Sequence, residues 1–240
     1  YDRALMTAVA GLFAKTLVGY YRRWAREHQE TRGEGGAVLV IQRVSSDLRL
    51  NPHLHTAALD GVFVADEDPS EPARFVPSLA LDDEHIADVL QAFVLKLRRL
   101  LVKAGRLDEA GQLTERAESE EHAALDALGV AAVTGALPAG PELRAGRDLR
   151  AVPSLDGGAL CVEQDGFSLH ARTVVDGDDE AARESLLKYM LRPPLAARRI
   201  RQLPDGLVRI ELKRAFADGT FAIDLDAVSL LVRLASAVPP

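Results

Sequence analysis

Two histidines separated by one apolar residue, His53-Leu54-His55, have a spacing that could support metal chemistry. On a β-strand, alternate side chains point to the same face and lie about 6.5–7 Å apart along the chain. Two imidazoles placed in this way can share one divalent cation, because neutral imidazole is a common metal ligand, while Leu54 points into the core. The same spacing also fits two ordinary surface or half-buried histidines, so both interpretations stay open on the residues alone.

Tyr189 is the second candidate, because a tyrosine hydroxyl can act as a nucleophile once it or its electrophile is activated. The residue lies near the end of a predicted helix that Pro193-Pro194 terminates. It shares a helix face with Ala182 and Leu186. The alternative interpretation is a core tyrosine whose hydroxyl reaches the rim.

Basic residues are concentrated after Tyr189, although the chain as a whole carries a net charge of −7. Between positions 188 and 214 only Asp205 and Glu211 are acidic. Such a segment suits contact with a phosphate backbone, and an ordinary solvated surface is the alternative. The eight basic residues are Lys188, Arg192, Arg198, Arg199, Arg201, Arg209, Lys213 and Arg214.

Composition excludes several classes of protein and site. The 240 residues are 48% hydrophobic and long enough for a proper core. The single cysteine, Cys161, excludes a disulfide framework and an all-cysteine zinc site within the chain. We find no glycine-rich phosphate loop, no Gly-x-Ser-x-Gly elbow, no signal peptide and no apolar run of membrane-spanning length. We therefore expect a cytoplasmic protein without a membrane partner, and the start at Tyr1 suggests an excerpt from a longer product.

Hydrophobic periodicity and turn residues predict the elements that must position these side chains. The first two predicted strands should pair antiparallel, and a loop or join is expected over 132–160. Helices are predicted over 1–30, 82–103, 107–131, 180–190 and 227–237. Strands are predicted over 37–42, 53–64 and 166–175, with a hairpin formed by 208–213 and 220–223.

Seven motifs occur in order along the chain: Gly36-Ala-Val-Leu-Val-Ile-Gln-Arg43, Leu50-Asn-Pro-His-Leu-His55, Leu59-Asp-Gly-Val-Phe-Val64, Asp165-Gly-Phe-Ser-Leu-His-Ala171, Lys188-Tyr-Met-Leu-Arg-Pro-Pro194, Val208-Arg-Ile-Glu-Leu-Lys213 and Asp218-Gly-Thr220. Together they resemble one family, the rolling-circle transposases of the insertion sequence 91 type. These belong to the HUH (His-hydrophobe-His) tyrosine nucleases. The similarity spans nearly the whole chain, and the combination of motifs is more specific than any one of them.

The resemblance implies an α+β fold, in which a mainly antiparallel sheet carries the histidine pair and the tyrosine helix lies across it. It implies one catalytic core, built from an amino-terminal region (residues 1–131) and a tyrosine region (residues 161–240) on either side of the join. His53 and His55 would hold Mg²⁺ or Mn²⁺ with a third ligand, for which Gln42 is the first choice and His170 the alternative.

The implied reaction is nicking and rejoining of single-stranded DNA at the ends of an insertion sequence. Tyr189 would form a covalent 5′-phosphotyrosine. The DNA would be held by Lys188, Arg192, Arg198, Arg199, Arg201, Lys213 and Arg214.

Two departures from the family pattern are visible in the sequence. Founding members carry two tyrosines four residues apart, and here Ser185 stands four residues before Tyr189, as in the single-tyrosine branch. The amino-terminal zinc-binding cysteine region is also absent. A plasmid replication initiator or relaxase would use the same chemistry, and a non-catalytic DNA-binding remnant of a transposase is the remaining alternative.

Overall fold

Helices and short strands alternate along the portion of the chain that the computed structural model describes, residues 2–28, 33–45, 48, 50–78, 81–111, 160–164, 166–193, 195–213, 215–216 and 218–237. The helices are α1 (Arg3–Glu27), α2 (Asp83–Lys103), α3 (Glu180–Met190) and α4 (Ala227–Ala237), with a 3-10 turn at Ala197–Arg199. The strands are β1 (Gly33–Glu34), β2 (Ala37–Val44), β3 (Leu50–Ala58), β4 (Gly61–Val64), β5 (Arg74–Pro77), β6 (Cys161–Gln164), β7 (Phe167–His170), β8 (Ile200–Gln202), β9 (Val208–Glu211) and β10 (Ala222–Leu225). Helices combine with antiparallel sheets, so the predicted α+β class is confirmed.

Two compact units divide the chain, and each is assembled from separate stretches of sequence. The first comprises Tyr1–Leu39, Thr56–Glu115 and Arg144–Leu187, and the second comprises Val40–His55, Arg116–Leu143 and Lys188–Pro240. The predicted join over 132–160 lies outside the described residues, except for its last position.

Helices α1 and α2 pack together in the first unit, and both begin with an aspartate cap. The Asp2 carboxylate accepts a hydrogen bond from the Leu5 amide at 2.9 Å, and the Asp82 carboxylate accepts one from the His85 amide at 3.0 Å. These bonds satisfy amides that the first helical turn leaves without a backbone partner. The rings of Phe13 and Phe93 meet edge to face with centroids 5.1 Å apart. Among the described residues, α1 and α2 confirm the helices predicted over 1–30 and 82–103.

By length and composition alone, α1 could cross a membrane, and this differs from the expectation that no such segment exists. The core helix of a soluble protein passes the same test. Residues Ala10, Phe13, Thr16, Tyr20, Tyr21 and Ala25 of α1 are buried.

Strands β1, β4 and β5 form a three-stranded antiparallel sheet in the first unit. Its inner face contributes Val62, which packs with Tyr21 and Ala25 of α1. The single strand predicted over 53–64 is wrong, because the chain breaks into β3 and β4 at Asp60. A Cβ atom at Gly61 would lie 2.2 Å from the Val76 carbonyl oxygen, so this close approach to β5 requires glycine.

The second unit is organised around the antiparallel sheet β8-β9-β10. Ile210 at its centre has no exposed surface and packs with Val44, Leu48 and Leu225. Leu230 and Leu234 of α4 cover the same cluster, which explains why this helix forms with one apolar face inward. The predicted hairpin and the helix predicted over 227–237 are confirmed.

Two further pairings complete the described strands. Strand β2 pairs with β3, and β6 pairs antiparallel with β7. Strand β7 ends at His170, so the strand predicted over 166–175 is too long. The helix predicted over 107–131 is wrong at its start, because α2 ends at Lys103 and positions 104–111 form turns with positive φ at Gly105 and Gly111. The remainder of that predicted helix lies outside the described residues.

Candidate active site

The two histidines of the His-Leu-His motif lie side by side on β3, as the alternation of side chains along a strand predicts. Their ring centroids are 5.0 Å apart and the ring planes are inclined by 64°. Both side chains are half-buried. Pairing of β3 with β2 holds the backbone of this segment extended, so the two imidazoles stay on one face of the strand.

Hydrogen bonding and burial favour the form of each imidazole that can bind a metal. His53 Nδ1 lies 2.6 Å from the Asn51 carbonyl oxygen, which can only accept, so Nδ1 is the donor and, in a neutral ring, Nε2 carries the lone pair. Burial, followed by the neighbouring His53 ring, lowers the pKa of His55 below its ordinary value. A lowered pKa keeps His55 neutral near pH 7, and neutral imidazole is the ligand form.

Tyr189 lies beside the histidine pair. It occupies the last turn of α3, and its side chain is 55% exposed. Its ring centroid is 5.6 Å from that of His55, with the two planes at 85°. Tyr20 and Tyr21 belong to the first unit and are buried, with 9% and 4% of their surface exposed. Among the described tyrosines, Tyr189 alone combines an exposed hydroxyl-bearing ring with a neighbouring imidazole of the histidine pair.

Gln42 contacts the chain that follows Tyr189. Its Nε2 donates to the Met190 carbonyl oxygen at 3.2 Å and to the Arg192 carbonyl oxygen at 3.3 Å. The same segments, 40–44 and 190–193, line a groove of about 200 Å³. The Gln42 side chain therefore connects β2 to the end of the tyrosine helix.

His170, the alternative third ligand, lies on β7 in the first unit. It faces Cys161 across the β6-β7 hairpin, with Nε2 3.8 Å from the cysteine Sγ. Within the described ranges, no three His, Cys, Asp or Glu side chains come together as a metal-binding group. Any third ligand to the His53 and His55 pair is still a prediction.

The predicted DNA-binding residues differ in how they are held. Lys188, Arg192, Arg198 and Lys213 are exposed. Arg201, also exposed, pairs with Glu211, with its Nε 3.0 Å from Oε1. Arg214 lies outside the described residues.

Arg199 differs from the surface cation that the sequence suggested. Only 8% of its surface is exposed, and its Nε donates to the Glu211 carbonyl oxygen at 2.6 Å. The 3-10 turn at Ala197–Arg199 directs this side chain inward, where it joins the turn to β9. Arg209 is also engaged, through two 2.7 Å hydrogen bonds to the Asp224 carboxylate.

Comparison with known proteins identifies the chain. Residues 36–240 match the family model described as "Putative transposase". The chain belongs to this transposase family. No curated protein and no solved structure matches it. Transposases cut and recombine DNA, so the protein is an enzyme that acts on DNA.

The matched region contains every side chain of the transposase that forms the histidine–tyrosine site. Gln42, His53, His55 and Tyr189 all belong to its second unit. An exposed phenol, two imidazoles and nearby cations can together bind a phosphodiester and present a nucleophile to it.

Two contributions to this site cannot be predicted from the transposase sequence. Asn51 orients His53 through its backbone carbonyl oxygen. Gln42, which the family resemblance predicts as a metal ligand, contacts backbone carbonyl oxygens through its amide nitrogen. No pattern of residue types predicts either role, because both depend on backbone carbonyl groups, which every residue has.

Proposed function

We propose that this transposase nicks and rejoins single-stranded DNA at the ends of an insertion sequence, through a 5′-phosphotyrosine intermediate in rolling-circle transposition. The observation that carries the proposal is the 5.6 Å separation between the rings of Tyr189 and His55. It brings the exposed tyrosine next to the histidine pair in one unit. The likeness of the motifs to rolling-circle transposases supports the same assignment.

The histidine pair fits a divalent cation. The hydrogen bond from His53 Nδ1 to the Asn51 carbonyl oxygen selects the neutral tautomer in which Nε2 can bind a metal, and the lowered pKa of His55 favours its neutral form. His53 and His55 would therefore hold Mg²⁺ or Mn²⁺. Such a cation, when bound, neutralises negative charge that develops on a scissile phosphate.

Tyr189 would supply the nucleophile. Its Oη would form a bond to the phosphorus while the bond from phosphorus to the 3′ oxygen breaks. The phenol proton passes to solvent, and the departing 3′ oxygen takes up a proton to become a hydroxyl. The phosphodiester energy is conserved in the phosphotyrosine bond, so attack by another 3′ hydroxyl can reverse the step without ATP.

The exposed cations would hold the strand near Tyr189. Lys188 and Arg192 flank the tyrosine in sequence, and Arg198 and Lys213 are exposed in the same unit. Lysine and arginine contacts to phosphates are largely independent of base sequence. These residues would therefore retain DNA of any sequence, while selection of the element end requires other contacts.

The decisive experiment uses a labelled single-stranded oligonucleotide that carries an element end, incubated with the protein and Mn²⁺. We expect a covalent adduct that survives denaturing electrophoresis and that mass spectrometry locates at Tyr189. Tyr189→Phe should abolish the adduct while DNA binding persists, and the matched control Tyr21→Phe should retain it. Absence of an adduct with the unmutated chain, or its location at Tyr20 or Tyr21, would contradict the proposal.

A further inference from the structure

The end of the tyrosine helix leaves carbonyl groups that need donors. The last carbonyls of a helix have no partner within the helix, and burying them unsatisfied is costly. The Arg192 amide closes one turn by donating to the Tyr189 carbonyl oxygen at 3.2 Å. The carbonyl oxygen of Met190, the last residue of α3, and that of Arg192, two residues beyond the helix, accept hydrogen bonds from Gln42 Nε2.

Both partners of Gln42 are carbonyl oxygens, which only accept hydrogen bonds. The side chain must therefore direct Nε2 toward them, and one NH₂ group supplies both hydrogens. Met190, between Tyr189 and the second contact, is 2% exposed, so apolar burial holds the same short segment. The two hydrogen bonds and this buried side chain together fix the chain immediately after Tyr189.

We propose that Gln42 is a positioning residue, which acts through Nε2 to hold the Met190 and Arg192 carbonyls and so keeps Tyr189 against His55. We call these two hydrogen bonds the Gln42 clamp. Strand β2 carries Gln42, and its partner β3 carries the histidine pair, so one pair of strands locates both the nucleophile and the imidazoles. The effect of Gln42 on the rate of DNA cleavage by Tyr189 rests on the proposed function. Its effect on the position of Tyr189 against His55 does not.

Two substitutions separate the clamp from a ligand role of the amide oxygen. Gln42→Glu keeps an oxygen able to bind a metal but removes both donors and sets a carboxylate against two carbonyls. Gln42→Met keeps the length of the side chain and removes both polar atoms. If Gln42 acts as a clamp, both variants fail in the same way, whereas a ligand role predicts that Gln42→Glu keeps its activity.

The first measurement is structural and does not require activity. In the unmutated protein, NMR of ¹³C-labelled histidine should show a ring-current shift at His55 that Tyr189→Leu removes. We expect both Gln42 variants to lose most of that shift and to exchange the Arg192 amide at least about tenfold faster. The control Gln91→Glu, on the exposed face of α2, should change neither readout. Exchange at the β9-β10 amides reports whether each variant has kept the fold of the unit.

The second measurement is the single-turnover rate of adduct formation at saturating DNA, with Mn²⁺ affinity measured in parallel. Misplacing a nucleophile by about 1 Å can cost about 100-fold, so we expect at least a tenfold loss in both variants with an unchanged Mn²⁺ Kd. Retention of rate and ring-current shift by Gln42→Glu would overturn the clamp, as would a loss of Mn²⁺ affinity confined to Gln42→Met. If the unmutated protein forms no adduct, the proposed function fails, and the NMR and exchange results alone decide the clamp.

Discussion

The imidazole of His55 meets the phenol ring of Tyr189 edge to face, with centroids 5.6 Å apart and planes at 85°. The two residues are far apart in sequence and reach the site from a strand and a helix. His53 extends the cluster at 5.0 Å from His55. In the proposed reaction, this arrangement would let the half-buried histidine pair and the exposed tyrosine act on one phosphate.

We expect His53→Ala and Tyr189→Phe to be non-additive in adduct formation. Both residues would act in the same step of the proposed reaction. The rate of the double variant should therefore be little lower than that of the more severe single variant. The measurement is the single-turnover rate with an oligonucleotide in Mn²⁺. His28→Ala, at the exposed end of α1, is the matched control and should keep the unmutated rate. Multiplicative losses would show that the histidines and the tyrosine act independently.

Neutralising three exposed cations should weaken DNA binding and reduce its salt dependence. The triple variant carries Arg192→Gln, Arg198→Gln and Lys213→Gln. We expect the plot of log K against log [salt] to become less steep, with the magnitude of its slope smaller by about 2, because each phosphate contact to a single strand contributes about 0.7. Binding to unrelated sequences should weaken equally, as measured by fluorescence anisotropy from about 50 to 200 mM salt. Arg99→Gln on α2 is the control outside the segment. An unchanged slope in the triple variant would identify these cations as ordinary surface.

Stability at alkaline pH should depend on Tyr21. Burial, assisted by Asp60, raises the pKa of Tyr21 to about 12, so the folded state favours the neutral phenol. In the unfolded chain, Tyr21 ionises near pH 10. Its contribution to the free energy of unfolding is therefore fully present below about pH 10 and is lost as pH rises from about 10 to 12. The free energy of unfolding should fall by about 2–3 kcal/mol over this range. Urea unfolding at alkaline pH tests this, and Tyr21→Phe should show a correspondingly weaker decline.

Gly61→Ala should destabilise the first unit strongly. The added methyl group would lie 2.2 Å from the Val76 carbonyl oxygen and 2.9 Å from the Pro77 Cα atom, and backbone atoms cannot move aside as a flexible side chain can. We expect the free energy of unfolding to fall by about 3 kcal/mol or more, as measured by thermal and urea unfolding. The control Gly19→Ala, with nothing within 4 Å of the added methyl, should instead stabilise α1 by about 0.5–1 kcal/mol. Equal effects of the two substitutions would contradict the close packing at Gly61.

Local sequence patterns determined much of the secondary structure, because periodicity, caps and turn residues act over a few positions. The stripe of α2 and its Asp82 cap, the β9-β10 hairpin and the bounds of α4 could all be predicted in this way. The same local rule put His53 and His55 on one face of a strand. It failed at Asp60, where the chain leaves β3 and starts β4, a new strand in another sheet.

Tertiary structure alone decided which distant groups meet. That Gln42 donates to the carbonyls after Tyr189, and that Arg199 turns inward to the Glu211 carbonyl, depends on contacts between segments 12 to 150 residues apart. Backbone carbonyl groups are the same at every position, so residue types carry no signal for such partners. The sequence could therefore predict the histidines and the tyrosine as candidate site residues. Only the folded structure decided how far apart they lie and which side chain contacts the end of the tyrosine helix.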